Sequence, residues 1–223
     1  MNRDELAQRW PQFALGIAVG DARLQVPTDT ELAVLARRAA EPTAILPTAD
    51  SHFVKWLQDR TPDEIEHQRI ARVTSNRELT TRPGWTLDLA VMVSGEPVGI
   101  QSLSGFEQWP HRRIVGTTSW LLAAFQRRGL GTQSRAAVLE LAFVQLGAEA
   151  AKSWVLADNH ASASVSAKLG YELLDGHRIT EHGRQYVEHV YRLDRDTWLS
   201  SSVRRQHAPV ITGAAPLVAL LDR

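Results

Sequence analysis

Two spacings of apolar residues divide this chain into helices and strands. Between Gln133 and Leu146, Leu139, Ala142, Phe143 and Leu146 recur at i, i+3, i+4 and i+7, the stripe of a helix with one buried face, and Gly147 stops it. Pro27-Thr28-Asp29 opens an earlier helix that turns Leu32, Leu35 and Ala36 inward and nears its end at Ala39. Thr61-Pro62-Asp63-Glu64 opens another, with a threonine cap, proline at the first helical position and glutamate three residues after the cap; it reaches about Arg77, with Ile65, Arg69 and Arg72 spaced along it. A shorter helix spans Asp4 to Trp10. Ala14 to Ala18 and Ala22 to Val26 flank the turn Val19-Gly20-Asp21 and pair as strands. Thr86 to Val93 and Pro97 to Leu103 form a hairpin around Ser94-Gly95-Glu96. Gly105 to Arg113, polar and aromatic, is a loop. Thr117 to Phe125 is then a strand leading into the long helix. Ser153 to Ala157 is the next strand, followed by a short helix ending at Leu169-Gly170-Tyr171. Strands at Tyr171 to Asp175 and Gln185 to Leu193 complete the series. This order fits one mixed α/β domain.

Composition changes that picture little but excludes several functions. The 223 residues are 43% hydrophobic and 22% charged, enough for one domain with a substantial core. Lys+Arg and Asp+Glu both number 25, so no global charge points to nucleic acid or an anionic membrane as partner. The chain has no cysteine, which removes disulfides, thiolate metal sites and a cysteine nucleophile. The eight histidines show no metal spacing, and no metal is expected. Met1 to Trp10 lacks the apolar run of a secretory signal, and no run is long enough to span a bilayer, so a cytoplasmic location is expected. Lys55, Lys152 and Lys168 are the lysines; arginine carries the rest of the positive charge, as in proteins of GC-rich bacteria.

The candidate chemistry begins at Gln126-Arg127-Arg128-Gly129-Leu130-Gly131-Thr132, between the strand and the long helix. The first N–H groups of a helix lack intrahelical acceptors and carry the positive end of its dipole. Glycines there let a bulky anion reach the backbone, and Arg127 and Arg128 add charge. The turn is suited to phosphate. The Walker pattern and the three-glycine dinucleotide fingerprint are both absent.

The heptapeptide resembles the Q/R-x-x-G-x-G/A turn with which the GCN5-related N-acetyltransferases, the GNAT superfamily, grip the pyrophosphate of acetyl-CoA. A second segment agrees: Asn159 and Ser162 form N-x-x-S, and Leu169-Gly170-Tyr171 follows with its glycine eleven residues after the asparagine. The pattern is closest to the Rim-type branch, whose members acetylate protein N-termini. The resemblance spans about Leu24 to Leu199. It implies a single domain over residues 12–199, with a central, mostly antiparallel mixed sheet flanked by helices. It also implies acetyl-CoA as co-substrate and a primary amine, either a protein or peptide N-terminus or a small molecule, as acceptor. The central strand near Leu121 and Leu122 would receive the pantetheine arm and offer an N–H to the thioester carbonyl.

For the acid that meets the departing thiolate, many members carry tyrosine seven residues after the asparagine; here Ser166 stands there, one helical turn beyond Ser162. Rim-type enzymes place a basic glutamate early in the central strand, and the matching residue here is Gly116. Glu107, in the preceding loop, is the first substitute and Asp88 the second. Trp109, beside Glu107, is a candidate wall of the acceptor cleft, as are the loops at residues 44–50 and 176–183. The missing glutamate leaves an alternative: a degenerate acetyl-CoA-binding domain acting through a protein partner. Residues 200–223 hold Pro209-Val210-Ile211 and Leu217 to Leu221, too apolar for a free tail, so they are expected to pack on the domain or on the partner subunit of a homodimer.

Overall fold

The computed structural model of the chain describes residues 2–45, 55–57, 60–79, 84–106, 108–181 and 183–222. Glu107 and most of the loop at 44–50 therefore lie outside the described residues. Helix α1 (Arg3–Arg9) leads through a short 3-10 turn into β1 (Gly16–Val19) and β2 (Ala22–Gln25). Helices α2 (Asp29–Ala40) and α3 (Pro62–Ser75) follow. Both begin at the signals read above: Thr28 with Glu31, and Thr61 with Glu64, form reciprocal capping boxes. Then come β3 (Trp85–Val93), β4 (Glu96–Gly105), β5 (Ile114–Leu121), α4 (Leu130–Glu140), β6 (Ala150–Leu156), α5 (His160–Lys168), β7 (Glu172–Glu181) and β8 (Arg184–Asp194). Helices α6 (Arg195–Ser200) and α7 (Ser202–His207), strand β9 (Val210–Thr212) and helix α8 (Ala215–Leu221) end the chain.

The nine strands form one sheet in the order β7-β8-β6-β5-β4-β3-β2-β1-β9. Every pairing is antiparallel except β5 with β6. Alternation along β3 separates two cores. Leu87, Leu89 and Val91 join the larger one, with Leu139, Ala142 and Phe143 of the α4 segment; Ala90 and Met92 face the opposite side, with Leu35 and Ala39 of α2. The predicted α4 stripe is therefore buried along its whole length, although the last turn, Leu141–Gln145, widens to a π-helix before Gly147 ends it in left-handed geometry.

Several boundaries differ from the sequence reading. The central strand starts at Ile114 and stops at Leu121, short of Phe125. Past Leu122 the backbone leaves the sheet, because Ala123 N–H donates to Ala44 C=O at 2.6 Å and Ala123–Phe125 coil into a 3-10 turn. Residues 176–181 are not a loop: β7 runs through them, paired with β8 out to Glu181 and Arg184. Trp109 lies on the α4 side of the sheet, edge-on to Trp85 at 5.4 Å, with its Nε1 donating to Leu221 C=O at 2.7 Å. It is tied to α8 rather than to a cleft. The C-terminal segment is held likewise: β9 pairs with β1, and Arg204 donates twice to the Glu140 carboxylate on α4, at 2.8 and 2.7 Å.

Candidate functional site

The one parallel pairing is short. Beta strands β5 and β6 are in register at Ile114–Ala150, Val115–Ala151 and Gly116–Lys152, then part, although β5 continues to Leu121 and β6 to Leu156. The split opens toward the end where β5 hands over to α4. On its far side β5 stays bonded to β4: Leu122 N–H donates to Val98 C=O at 2.8 Å, one residue beyond the last registered pair, Gly99 with Leu121. Alternation in an antiparallel ladder then turns the polar backbone of Leu121 the other way, into the split. The N–H that faces the split is thus that of Leu121, while that of Leu122 is taken.

At the mouth of the split stands the N-terminus of α4. Gly129 is its cap residue, left-handed at φ 81°, and contributes no capping side chain. Thr132 and Gln133 N–H both turn back to Gly129 C=O at 3.0 Å. The N–H groups of Leu130 and Gly131 have no acceptor among the described residues. Arg127, itself at φ 60°, and Arg128 are exposed beside them, Arg128 lying 5.3 Å from the Phe125 ring centre. Gln126 serves the backbone instead, its Nε2 bridging Leu121 C=O and Ile45 C=O, both at 2.8 Å. This is an anion cradle of N–H groups, dipole and guanidinium charge, set where two strands separate.

Helix α5 forms the other wall. Asn159 Oδ1 caps it by accepting from Ser162 N–H at 3.0 Å. A side chain at Gly131 would come within 3.7 Å of Val165, so the two segments picked out in the sequence meet across the split. Behind them lies a residue the sequence reading passed over. Arg135, 3% exposed, donates from Nη1 to Ser166 Oγ at 2.9 Å and from Nη2 toward Ser162 Oγ at 3.4 Å. Ser166 is fully buried. Burial pushes the Arg135 guanidinium below its usual range, with Tyr171 opposing that shift; burial raises the Tyr171 phenol, against the opposing pull of Arg135. Tyr171 OH lies 3.3 Å from Thr117 Oγ1, at the first β5 residue beyond the paired stretch. A signal for Arg135 existed: it stands four residues before Leu139, on the apolar stripe itself.

The opposite face of β5 is different. Gly116, where relatives of the Rim type were expected to carry a glutamate, would hold a side chain only tightly: a Cβ there would meet Phe106 at 3.0 Å and Trp154 at 3.2 Å. Those two rings pack edge-to-face at 5.6 Å and are each 39% exposed. Asp88 is buried and accepts from Asn76 Nδ2 at 2.7 Å and from Ser102 Oγ. Trp56 packs at a tilt against Trp120, with ring centres 5.4 Å apart, and carries Arg69 above its ring at 4.3 Å. Burial, with Arg72 adding to it, lowers the Arg69 guanidinium to about 10. No group of metal-binding side chains occurs among the described residues, and no described helix is long and apolar enough to cross a membrane.

An uncapped helix N-terminus at the mouth of a split between two parallel strands, with an aromatic face beyond, is a candidate site for an anionic ligand. Residues 26–172 match the acetyltransferase (GNAT) domain family, and the chain belongs to it. It is a GNAT-type N-acetyltransferase, and the fold is one that takes acetyl-CoA. Among solved structures it is similar to Mycobacterium smegmatis RimJ in complex with CoA-disulfide, at 15% identity and TM-score 0.64, over 92% of each chain. The ribosomal-protein-S5-alanine acetyltransferase of Vibrio fischeri matches at 14% identity and TM-score 0.60, over 82% of this chain and 98% of that one. A GCN5-related N-acetyltransferase from Brucella melitensis matches at 14% identity and TM-score 0.64, over 86% and 83%. At these identities the likeness is one of fold.

Proposed function

We propose that the protein moves an acetyl group from acetyl-CoA to a primary amine by direct attack, with both substrates bound together. The observation that carries this is the strand split with an uncapped α4 terminus at its mouth. Leu130 and Gly131 N–H, the α4 dipole, Arg127 and Arg128 would hold the pyrophosphate, while Gln126 and Thr132 shape the turn. Leu121, Leu122, Asn159 and Ser162 would line the course of the pantetheine arm. Acetyl-CoA supplies the activated acyl group. Leu121 N–H would donate to the thioester oxygen as negative charge develops on it, from a position that needs no rearrangement.

The amine must arrive neutral. Glu107 adjoins Phe106, whose ring lies over Gly116, and is assigned as the base that takes the ammonium proton. Asp88 already accepts two hydrogen bonds, which suits an anchored carboxylate better than a working base. Ser166 is assigned to the leaving sulfur. The acceptor is a protein or peptide N-terminus or a small amine.

The test is a thiol-release screen of the full chain with acetyl-CoA against peptide N-termini, polyamines and amino sugars. Release with one class identifies the acceptor. Acetyl-CoA binding without release from any of them refutes the transferase reading in favour of a binding domain that acts through a partner.

A further inference from the structure

The buried Arg135 is not accounted for by holding a phosphate or by the fold. It is the one charged side chain in the cluster it forms with Ser162, Ser166, Tyr171 and Thr117. Among the described residues no carboxylate lies within ion-pair distance of it, and its Nε has no hydrogen-bond partner. An unpaired ion in a protein interior is strongly disfavoured unless something compensates it. Arg69 is likewise buried without an ion pair, but it lies against the Trp56 ring and donates to Gln68, whereas other arginines have a carboxylate partner. Arg77, for instance, reaches Asp29 at 2.6 Å and Pro27 C=O at 2.9 Å.

The cluster's position says what the missing anion is. Arg135 stands one helical turn past Gly131, beneath the cradle, and Thr117 marks the closed end of the split. A phosphate at the mouth is already met by backbone N–H groups. Deeper in, the charge that appears during acyl transfer is the thiolate. Ser166 links the two. One lone pair of its Oγ takes the Nη1 hydrogen of Arg135, and its own hydroxyl hydrogen has no acceptor among the described residues. A hydroxyl that accepts from a cation is polarised toward donating.

We propose that Arg135 is a positioning residue for the leaving group: it turns the Ser166 hydroxyl toward the thioester sulfur and sets a buried positive charge behind the departing thiolate. The inference rests on the acetyltransferase reading above. In the step itself the amine nitrogen forms the C–N bond, the C–S bond breaks, and its electron pair stays on sulfur. Ser166 donates a hydrogen bond to that sulfur and keeps its proton. The base has taken the ammonium proton before attack, the proton that nitrogen sheds as the amide forms passes to water, and water protonates the thiolate after release. No further reactant is needed.

CoA itself is the probe. Bound to the full chain, its thiol is titrated by thiolate ultraviolet absorbance, and acetyl-CoA turnover is measured alongside. The wild-type protein should lower the bound thiol pKa by about one unit, a tenfold gain in thiolate. Arg135→Met and Ser166→Ala should each abolish that shift and lower kcat about 10- to 100-fold, with KM for acetyl-CoA within about threefold of wild type. Arg135→Lys should recover part of both. A wild-type bound thiol that titrates like free CoA overturns the proposal, even if Arg135→Met fails to fold. So does a folded Arg135→Met variant with wild-type kcat, or one that loses KM alone. Those outcomes in an active enzyme leave the transferase assignment standing, whereas a wild-type chain that binds no CoA removes both.

Discussion

Gly131→Val separates the two glycines of the α4 turn and tests the cofactor cradle directly. A Cβ at Gly131 would lie 3.7 Å from Val165, an ordinary contact, and its backbone is not left-handed. Valine is also a slightly better helix residue than glycine, by a few tenths of a kcal/mol. Seating its γ-methyls against Val165 opposes that by about 1 kcal/mol, so melting should fall by no more than about 2 to 4 °C. Ligand affinity should respond far more. The branched side chain fills the space between α4 and α5 through which an anion reaches Leu130 and Gly131 N–H. Losing two hydrogen bonds to a charged group, at about 1.5–3 kcal/mol each, weakens CoA binding roughly 100- to 10,000-fold. Calorimetry with acetyl-CoA measures this. Thermal melting checks it independently: ligand at 100 times Kd should stabilise the wild type by about 2.7 kcal/mol and leave the variant unchanged. Gly129→Ala is the contrast. Its φ of 81° makes any side chain strained, yet a Cβ there meets nothing within 4 Å, so it should lose about 1 kcal/mol of stability and much less affinity. A folded Gly131→Val protein with wild-type affinity would refute the cradle.

Three further outcomes are expected. Asn159→Ala removes the α5 cap, worth about 1 kcal/mol of stability, and should raise KM for acetyl-CoA beyond what that loss explains; normal kinetics with a lower Tm would leave Asn159 a purely structural residue. Glu107→Gln should slow turnover most at low pH and least at high pH, where free amine is plentiful, whereas a carboxylate that merely binds the acceptor would weaken its affinity at every pH. Gly116→Glu should destabilise the protein by roughly 1–3 kcal/mol, because Phe106 and Trp154 occupy its space. Adding Phe106→Ala should relieve that loss, and a double variant melting no higher than the single one would show the clash lies elsewhere.

Much of the frame around this candidate site was legible in the sequence because its signals are local. Thr61 and Glu64 announce α3 by their spacing, Gly129 marks a left-handed cap, and Asn159 caps α5 through a contact three residues away. Each is a local signal. The strand before α4 was misjudged at its end because Leu121 to Phe125 are uniformly apolar, and what turns the chain is Ala44 C=O, from a distant loop. Strand β7 was read too short for a related reason: it is the sheet's edge, exposed along most of its length, so no alternation reveals it. Trp109 looked available because a loop tryptophan does not disclose that Leu221, 112 residues later, takes its N–H. Arg135 lay in plain view on the α4 stripe, yet its meaning depends on Ser166 from another helix.

The single parallel pairing explains why so short a motif could locate the site. Parallel neighbours need a crossover, and α4 supplies it. A helix that returns over the sheet from the end of β5 must present its N-terminus there. The strands part at that same end because each is held by its other neighbour. Strand β5 remains bonded to β4 as far as Leu122 and Val98, while β6 remains paired with β8 as far as Leu156 and Glu188. A dipole, free N–H groups and a gap therefore converge without any side chain being chosen for chemistry. On the acceptor side nothing comparable operates. Phe106 packs over Gly116, Asp88 is bound by Asn76 and Ser102, and Trp56, tilted against Trp120, lies beneath Arg69. Those choices are made side chain by side chain, so under the proposed function it is there that the choice of amine would be set.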